Sequence, residues 1–259
     1  MNFIEAIYQQ IDFIRNDVLS GSSTIALNAL DVVTAAIDVQ DKNDPAFPIK
    51  VASLLKESKP SVAAITVVCD YALKDFYKSK NIENKYFSID VRKKLLRASE
   101  ETLKHSYSRL INPENKVIKI ATCSFSSNVM RFLKLADKRG YKLHVYIIDS
   151  IWNKRNYSSL LAYELNNTAI LSKIISLDEF ADVRNELDYC LIGADGFDEN
   201  KNVVNGIPSF NFAMLSKNYV PFYVIAESFK RVEYPVSDDG FEFIPAQFIT
   251  EILTDSEYW

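Results

Sequence analysis

The chain has 259 residues, 48% hydrophobic and 25% charged, enough for one large globular unit or two small ones without covalent staples. A formal net charge of −4 argues against direct nucleic-acid binding, which needs Lys and Arg clustered toward the phosphates. Three distant cysteines without a CxxC pair exclude a disulfide framework and a zinc site, and two histidines leave few parts for a metal centre or a Ser/His/Asp triad. No metal or cofactor is expected.

No window approaches the roughly 18 consecutive apolar residues of a membrane span. The start, MNFIEAIYQQIDFIR, carries Glu5 and Asp12 where a signal peptide is basic and then apolar. The expected location is cytoplasmic, in a reducing compartment and away from membranes.

In chain order, Asn2–Val18 carries Phe3, Ile4, Ile7, Ile11 and Ile14 on a stripe of helical period. Gly21, Ser22 and Ser23 supply a turn and an N-cap before the broadly apolar TIALNALDVVTAAIDV. Pro45 and Pro48 punctuate the approach to IKVASLLKES, and Pro60 suits the first turn of SVAAITVVCDYALKDFYK, where its missing N–H costs nothing. Ser88 caps IDVRKKLLRASEETLKHSYSRLI. Within that helix, Arg92, Lys93, Lys94 and Arg97 read as a solvated face. Five helices make residues 1–112 an all-helical N-terminal domain.

Past Lys116 the period changes. VIKIAT, KLHVYIID, AILSKII, DYCLIG and PFYVIA are short runs of strand type, separated by helical segments at Ser126–Arg139, Tyr157–Glu164, Leu177–Asn185 and Phe210–Asn218. This alternation defines an α/β, Rossmann-like parallel-sheet domain over residues 113–259, with right-handed crossovers. None of the six glycines forms a GxGxxG or a P-loop, which leaves a standard dinucleotide or Walker-type site unsupported. Gly193, Gly196 and Gly206 instead cluster after DYCLIG, at the sheet edge where open α/β sheets bind ligands.

Two loops at that edge can carry chemistry. In Thr122–Ser127, the helix-start N–H groups and the hydroxyls of Ser124, Ser126 and Ser127 suit a phosphate or carboxylate, and Cys123 is a candidate nucleophile or acid. The competing reading makes Ser124 or Ser126 a plain helix cap and Cys123 the filler of a small buried gap. In Ile192–Asp198, Asp195 between two glycines is a general base, a hydroxyl acceptor or a turn former. Asn205 and Ser209 add polar groups just beyond.

The stretch IGADGFDENKNVVNGIPSFNFAMLSKNYVPFYVIAESFKRV resembles the signature of the initiation factor 2B alpha/beta/delta family, which includes methylthioribose-1-phosphate and ribose-1,5-bisphosphate isomerases. SGSSTIALNALDVV, KPSVAAI, IATCSFSSNVMRFLKLADKRGYKLHVYIIDS and FEFIPAQFITEILTD extend the likeness over nearly the whole chain. The resemblance implies a ligand pocket between the helical and Rossmann-like domains, and a homodimer or hetero-oligomer formed through the C-terminal domain. It implies a translation initiation factor as partner and a sugar phosphate or nucleotide as ligand. The ligand-binding positions it implies are Gly21, Ser22, Ser124, Ser126, Ser127, Asp195, Asn205, Ser209 and Lys230.

Isomerases of the family use a cysteine and an aspartate as their acid/base pair. Asp195 matches the aspartate, but Ser124 stands at the cysteine position and Cys123 at the preceding histidine. A one-residue slip of the loop would restore Cys123 as the catalytic thiol. The lysine and arginine expected at the phosphate are Gly206 and Ile151 here. Each lost charge-assisted contact is worth about 1.5–3 kcal/mol. Arg131 and Arg155 are the candidate replacements.

The departures favour a binding or regulatory protein linked to translation initiation, with a degenerate pocket. The alternative is an aldose–ketose isomerase acting on a ribose phosphate through Cys123 and Asp195. It requires the sulfur to face Asp195 across the pocket, with a cation in reach of the phosphate. A third reading is a structural partner subunit, for which Tyr258 and Trp259 would supply an aromatic contact.

Overall fold

The computed structural model describes residues 3–18, 20–39, 44–78, 84–114 and 117–255. Tyr258 and Trp259 lie outside the described residues. The chain begins with five helices: α1 (Phe3–Asn16), α2 (Ser22–Asp38), α3 (Phe47–Ser58), α4 (Ala63–Lys78) and α5 (Asn84–Leu110). α1 buries Ile7, Ile11 and Ile14, one stripe at helical spacing. α2 is the hub, since Ala26, Ala29, Leu30, Val33 and Ala36 are fully buried, and its small side chains let α1, α3 and α4 approach. Phe229, from the far end of the sheet region, completes this core.

The N-cap of α2 falls within the expected Gly21–Ser23 segment, at Gly21, and Ser22 and Ser23 sit in the first turn with their hydroxyls turned to tertiary partners. Two local expectations are corrected. Pro60 lies in the turn before α4 rather than in its first turn. α5 starts at Asn84, so Ser88 is inside a helix rather than capping one. The basic residues of α5 do form a solvated face, with Arg92 paired to Asp31 and Arg97 to Glu101.

The sheet region runs β1 (Val117–Cys123), α6 (Ser127–Lys138), β2 (Lys142–Ile148), a hairpin of β3 (Ile151–Trp152) and β4 (Arg155–Asn156), and α7 (Tyr157–Leu165). It continues with β5 (Leu171–Ile175), α8 (Leu177–Val183), β6 (Tyr189–Gly193), β7 (Gly196–Phe197), β8 (Val203–Gly206) and α9 (Ser209–Ser216). β9 (Phe222–Ile225), β10 (Phe241–Ile244) and β11 (Glu251–Leu253) complete it. Six strands form one all-parallel sheet in the order β5-β2-β1-β6-β9-β11. The order grows outward from β1 in both directions, so the β1/β6 boundary is the topological switch point. β7, β8 and β10 make a small antiparallel sheet.

The period of two along each central strand divides the core. Ile118, Ile120, Leu191 and Ile225 pack with Phe132 and Leu133 of α6 on one face. Ala121, Cys123, Cys190, Ile192 and Val224 pack with Phe180 and Phe212 on the other. All five expected strands are present. The two-residue strands, the β7–β8–β10 sheet and the edge strand β11 went unread, because runs of two to four residues carry no resolvable period.

Candidate functional site

At the carboxyl ends of β1 and β6 lies a cavity of about 330 Å³, closed on its far side by the starts of α2 and α4. Its wall includes Gly21, Ser22, Ser124, Ser126, Ser127 and Asp195, together with Asn205 and Lys230. Eight of the ten expected residues, spread along the chain from Gly21 to Lys230, thus meet; Cys123 and Ser209 do not reach the wall.

The serine loop is shaped by close approaches. Ser124 adopts φ 62°, and its N–H donates to Ser150 Oγ at 2.9 Å. A Cβ at Gly206 would stand 2.7 Å from Ser124 Oγ, and one at Gly193 would stand 2.2 Å from Ser126 Oγ. Glycine at both places lets the loops touch. Ser126 caps α6, accepting from Val129 N–H at 3.4 Å, and Ser127 Oγ lies 3.3 Å from where a Cβ of Gly21 would be. The starts of α2 and α6 therefore meet at the cavity. Ser126 is both a plain helix cap and a wall residue.

Asp195 is held by its backbone, donating to Val204 O at 2.9 Å and accepting from Ala63 N–H at 3.0 Å at the start of α4. Its carboxyl is hydrogen-bonded to Ser22. Burial pushes this carboxyl above the ordinary range, against the opposing pull of Lys230 and Ser22. A cavity-facing carboxyl of that kind holds a proton more readily than a free aspartate, or accepts from a ligand hydroxyl.

Lys230 is 3% exposed and lies 2.9 Å from Glu227 Oε2. Glu227 also accepts from Asn128 Nδ2 at 2.8 Å, Ser23 Oγ at 3.1 Å and Ser99 Oγ at 3.2 Å. Burial would raise this carboxyl, but the Lys230 charge and the hydrogen bonds from Lys230 and Asn128 hold it down to about 2. The pair ties α2, α5 and α6 to the segment after β9.

Cys123 is the last residue of β1, paired with Ile148, and strand alternation turns it to the same face as Ala121. Its sulfur is 3.2 Å from Ser209 Oγ, which also accepts from Asn205 Nδ2 at 2.8 Å. Burial pushes the thiol up to about 12. The gap-filling reading of Cys123 is the one that matches its position. Neither candidate cation lines the cavity: Arg131 donates to the Ser99 hydroxyl and Arg155 to the Val18 carbonyl.

Wall residues that sequence reasoning missed are Arg15, Asp17, Lys59, Ser61, Trp152 and Asp238. They come from segments before α2 and α4, from the β3–β4 hairpin and from the approach to β10, none of which carries a motif. The one local signal is Asp238-Asp239-Gly240, where Gly240 at φ +87° would place a Cβ 2.6 Å from the Trp152 ring. Lys59 is lowered chiefly by burial, with Asp17, Asp238 and Asp195 opposing. Among the described residues, no group of three or more His, Cys, Asp or Glu could hold a metal ion.

An open parallel sheet with a ligand-sized cavity at its switch point, covered by a helical N-terminal region, defines a Rossmann-like α/β protein. The chain belongs to the Initiation factor 2 subunit family, whose sequence model matches residues 18–252. The translation initiation factor eIF2B subunit alpha of Dictyostelium discoideum is 28% identical over 136 residues, 52% of this chain and 42% of that protein. The chain thus spans about two-fifths of that relative's length. The methylthioribose-1-phosphate isomerase of Caldanaerobacter subterraneus is 27% identical over 241 residues, 85% of this chain and 69% of that protein. The solved translation initiation factor eIF-2B of Pyrococcus horikoshii superposes with a TM-score of 0.79 at 20% identity, covering 96% of this chain and 95% of that one. A chain of the tetrameric eIF2B-beta2-delta2 complex of C. thermophilum gives 0.81 at 14%, covering 98% and 90%. These likenesses to solved structures establish the fold.

Proposed function

We propose that this chain is a non-catalytic, ligand-binding subunit linked to translation initiation, cytoplasmic and assembled through its sheet region with itself or with related subunits. In this reading residues 1–112 and 113–259 are two domains, and the cavity between them is the regulatory site. The observation that carries it is the position of Cys123. No cysteine lines the cavity, and the one nearest the expected catalytic position is a core residue bonded to Ser209, with its thiol raised to about 12. A thiol held in the core and off the cavity wall cannot reach a sugar carbon in the cavity, and one kept protonated is no base or nucleophile. Assembly is supported by the tetrameric eIF2B complex from which one structural neighbour comes.

One observation favours the isomerase reading. Asp195 faces the cavity with a carboxyl raised by burial, as a proton shuttle requires. Incubating the protein with methylthioribose-1-phosphate and with ribose-1,5-bisphosphate, and following isomer ratios by NMR, separates the two. The binding reading expects no ketose from either compound. Ketose formed by the native chain and not by Asp195→Asn would sink it.

A further inference from the structure

Two lysines line the cavity, and they differ in kind. Lys230 is 3% exposed and its amino group is held by Glu227 at 2.9 Å, so its proton and its charge are both committed. Lys59 is half-buried in the link between α3 and α4, where its carbonyl accepts from Val62 N–H at 3.0 Å. Among the described residues, its side chain has neither an ion-pair partner nor a hydrogen bond. The carboxylates whose charge it feels, Asp17, Asp238 and Asp195, all stand on the cavity wall, which puts the amino group on the cavity side of the link.

An ammonium among three carboxylates ordinarily holds its proton more tightly. Here burial outweighs them, and the amino group is lowered from its usual value. An unpaired, partly desolvated amine in a cavity is the arrangement that imine-forming lysines use. The carboxylates beside it supply the proton relay that such chemistry needs. Elsewhere on the wall, Ser124, Ser126, Ser127 and Asn205 suit hydroxyl groups. The two halves of the wall together fit a hydroxyaldehyde, with its hydroxyls toward the serines and Asn205 and its carbonyl toward Lys59.

We infer that Lys59 captures a small hydroxyaldehyde, such as the open-chain form of an aldose, as a reversible imine in this cavity. This rests on the reading of the cavity as a ligand site and names the reactive group of the ligand. The step needs no oxidant or reductant. A wall carboxylate takes a proton from the Lys59 ammonium, and the nitrogen lone pair bonds to the aldehyde carbon as the C=O π pair moves to oxygen. A nitrogen proton passes to that oxygen to give the carbinolamine. The carboxyl then returns its proton to the new hydroxyl, which leaves as water while the C=N bond of a protonated imine forms. Hydrolysis runs the same steps backwards and frees the lysine.

The test uses the intact chain with glycolaldehyde, ribose or ribose 5-phosphate in the presence of cyanoborohydride, which reduces an imine to a stable amine. Peptide mass mapping then locates the adducts. With at least one of these aldehydes, Lys59 is expected to be labelled about tenfold or more faster than the exposed Lys138 and Lys201. Lys59→Arg, which keeps the charge and removes the nucleophile, is expected to lose the fast phase of labelling seen in the intact mass. The mapping on the native chain is decisive whether or not that variant folds. Ribitol and ribitol 5-phosphate, which carry the hydroxyls without the aldehyde, are followed in parallel by thermal shift. Labelling of Lys59 no faster than that of the exposed lysines would overturn the inference. A melting temperature raised by the alditols would then leave the ligand-site reading intact, whereas no fast labelling and no shift with any of the five compounds would overturn both.

Discussion

Glu227 and Lys230 meet at 2.9 Å with side-chain exposures of 0% and 4%, so almost no water screens either charge. Removing one member of such a pair leaves the other buried and uncompensated, a loss of about 3–5 kcal/mol. Lys230→Met is expected to destabilise the chain by that amount in urea unfolding. Glu227→Gln combined with Lys230→Met is expected to recover most of it, since the pair itself contributes little net stability. The pair also sets a pH response. The Glu227 carboxyl falls from 4.5 to about 2 on folding, so its contribution is complete above about 4.5 and is lost as pH falls toward 2. The difference between native and Glu227→Gln unfolding midpoints should shrink through that window, by on the order of 3 kcal/mol in all. Asp195 has the opposite sign. Its carboxyl is raised by burial, so the charged form is disfavoured in the folded state and costs stability as pH rises. Asp195→Asn should therefore melt higher than the native chain at neutral pH, with the gap closing below the unfolded value near pH ~3.9. A lower melting point at neutral pH would contradict the burial argument.

Among the elements, β1 shows how much of the site the sequence made readable. The run VIKIAT was clear, but the strand continues one residue to Cys123, and that one residue decides which face the sulfur takes. A boundary error of one residue reverses the side chain in a strand, whereas in the following loop it changes little. Ser124, Ser126 and Ser127 accordingly reach the cavity wall, because a serine cluster between a strand and a helix has only one edge of the sheet to occupy. Ser22 and Ser23 leave the capping of α2 to Gly21, since their hydroxyls go to the tertiary acceptors Asp195 and Glu227, and no local pattern records those partners. Gly193 tests the packing between elements. A methyl there would stand 2.2 Å from Ser126 Oγ and 2.8 Å from its Cβ. Gly193→Ala is expected to cost about 1–3 kcal/mol by overpacking, measured by thermal unfolding, and Ser126→Gly in the same chain should relieve it. An additive double variant would show that the two elements do not press on each other there.

At the scale of the molecule, the sequence made legible a helical N-terminal region, the five main strands and the sheet edge that carries the cavity. It did not disclose the acidic wall. Asp17, Lys59, Ser61 and Asp238 come from separate turns, and only the docking of α2 and α4 over the switch point brings them to one cavity. The fold keeps a cavity at the switch point of an open α/β sheet, and under the proposed function the groups that would work on a sugar phosphate are exchanged. A serine replaces the thiol on the wall, Gly206 touches Ser124 where a lysine was expected, and Ile151 lies 53% exposed on the hairpin where an arginine was expected. The most direct measurement is the fate of methylthioribose-1-phosphate incubated for hours with the protein at comparable concentration and followed by NMR. The account predicts that the aldose persists unchanged. Accumulation of the ketose, abolished by Asp195→Asn, would contradict it.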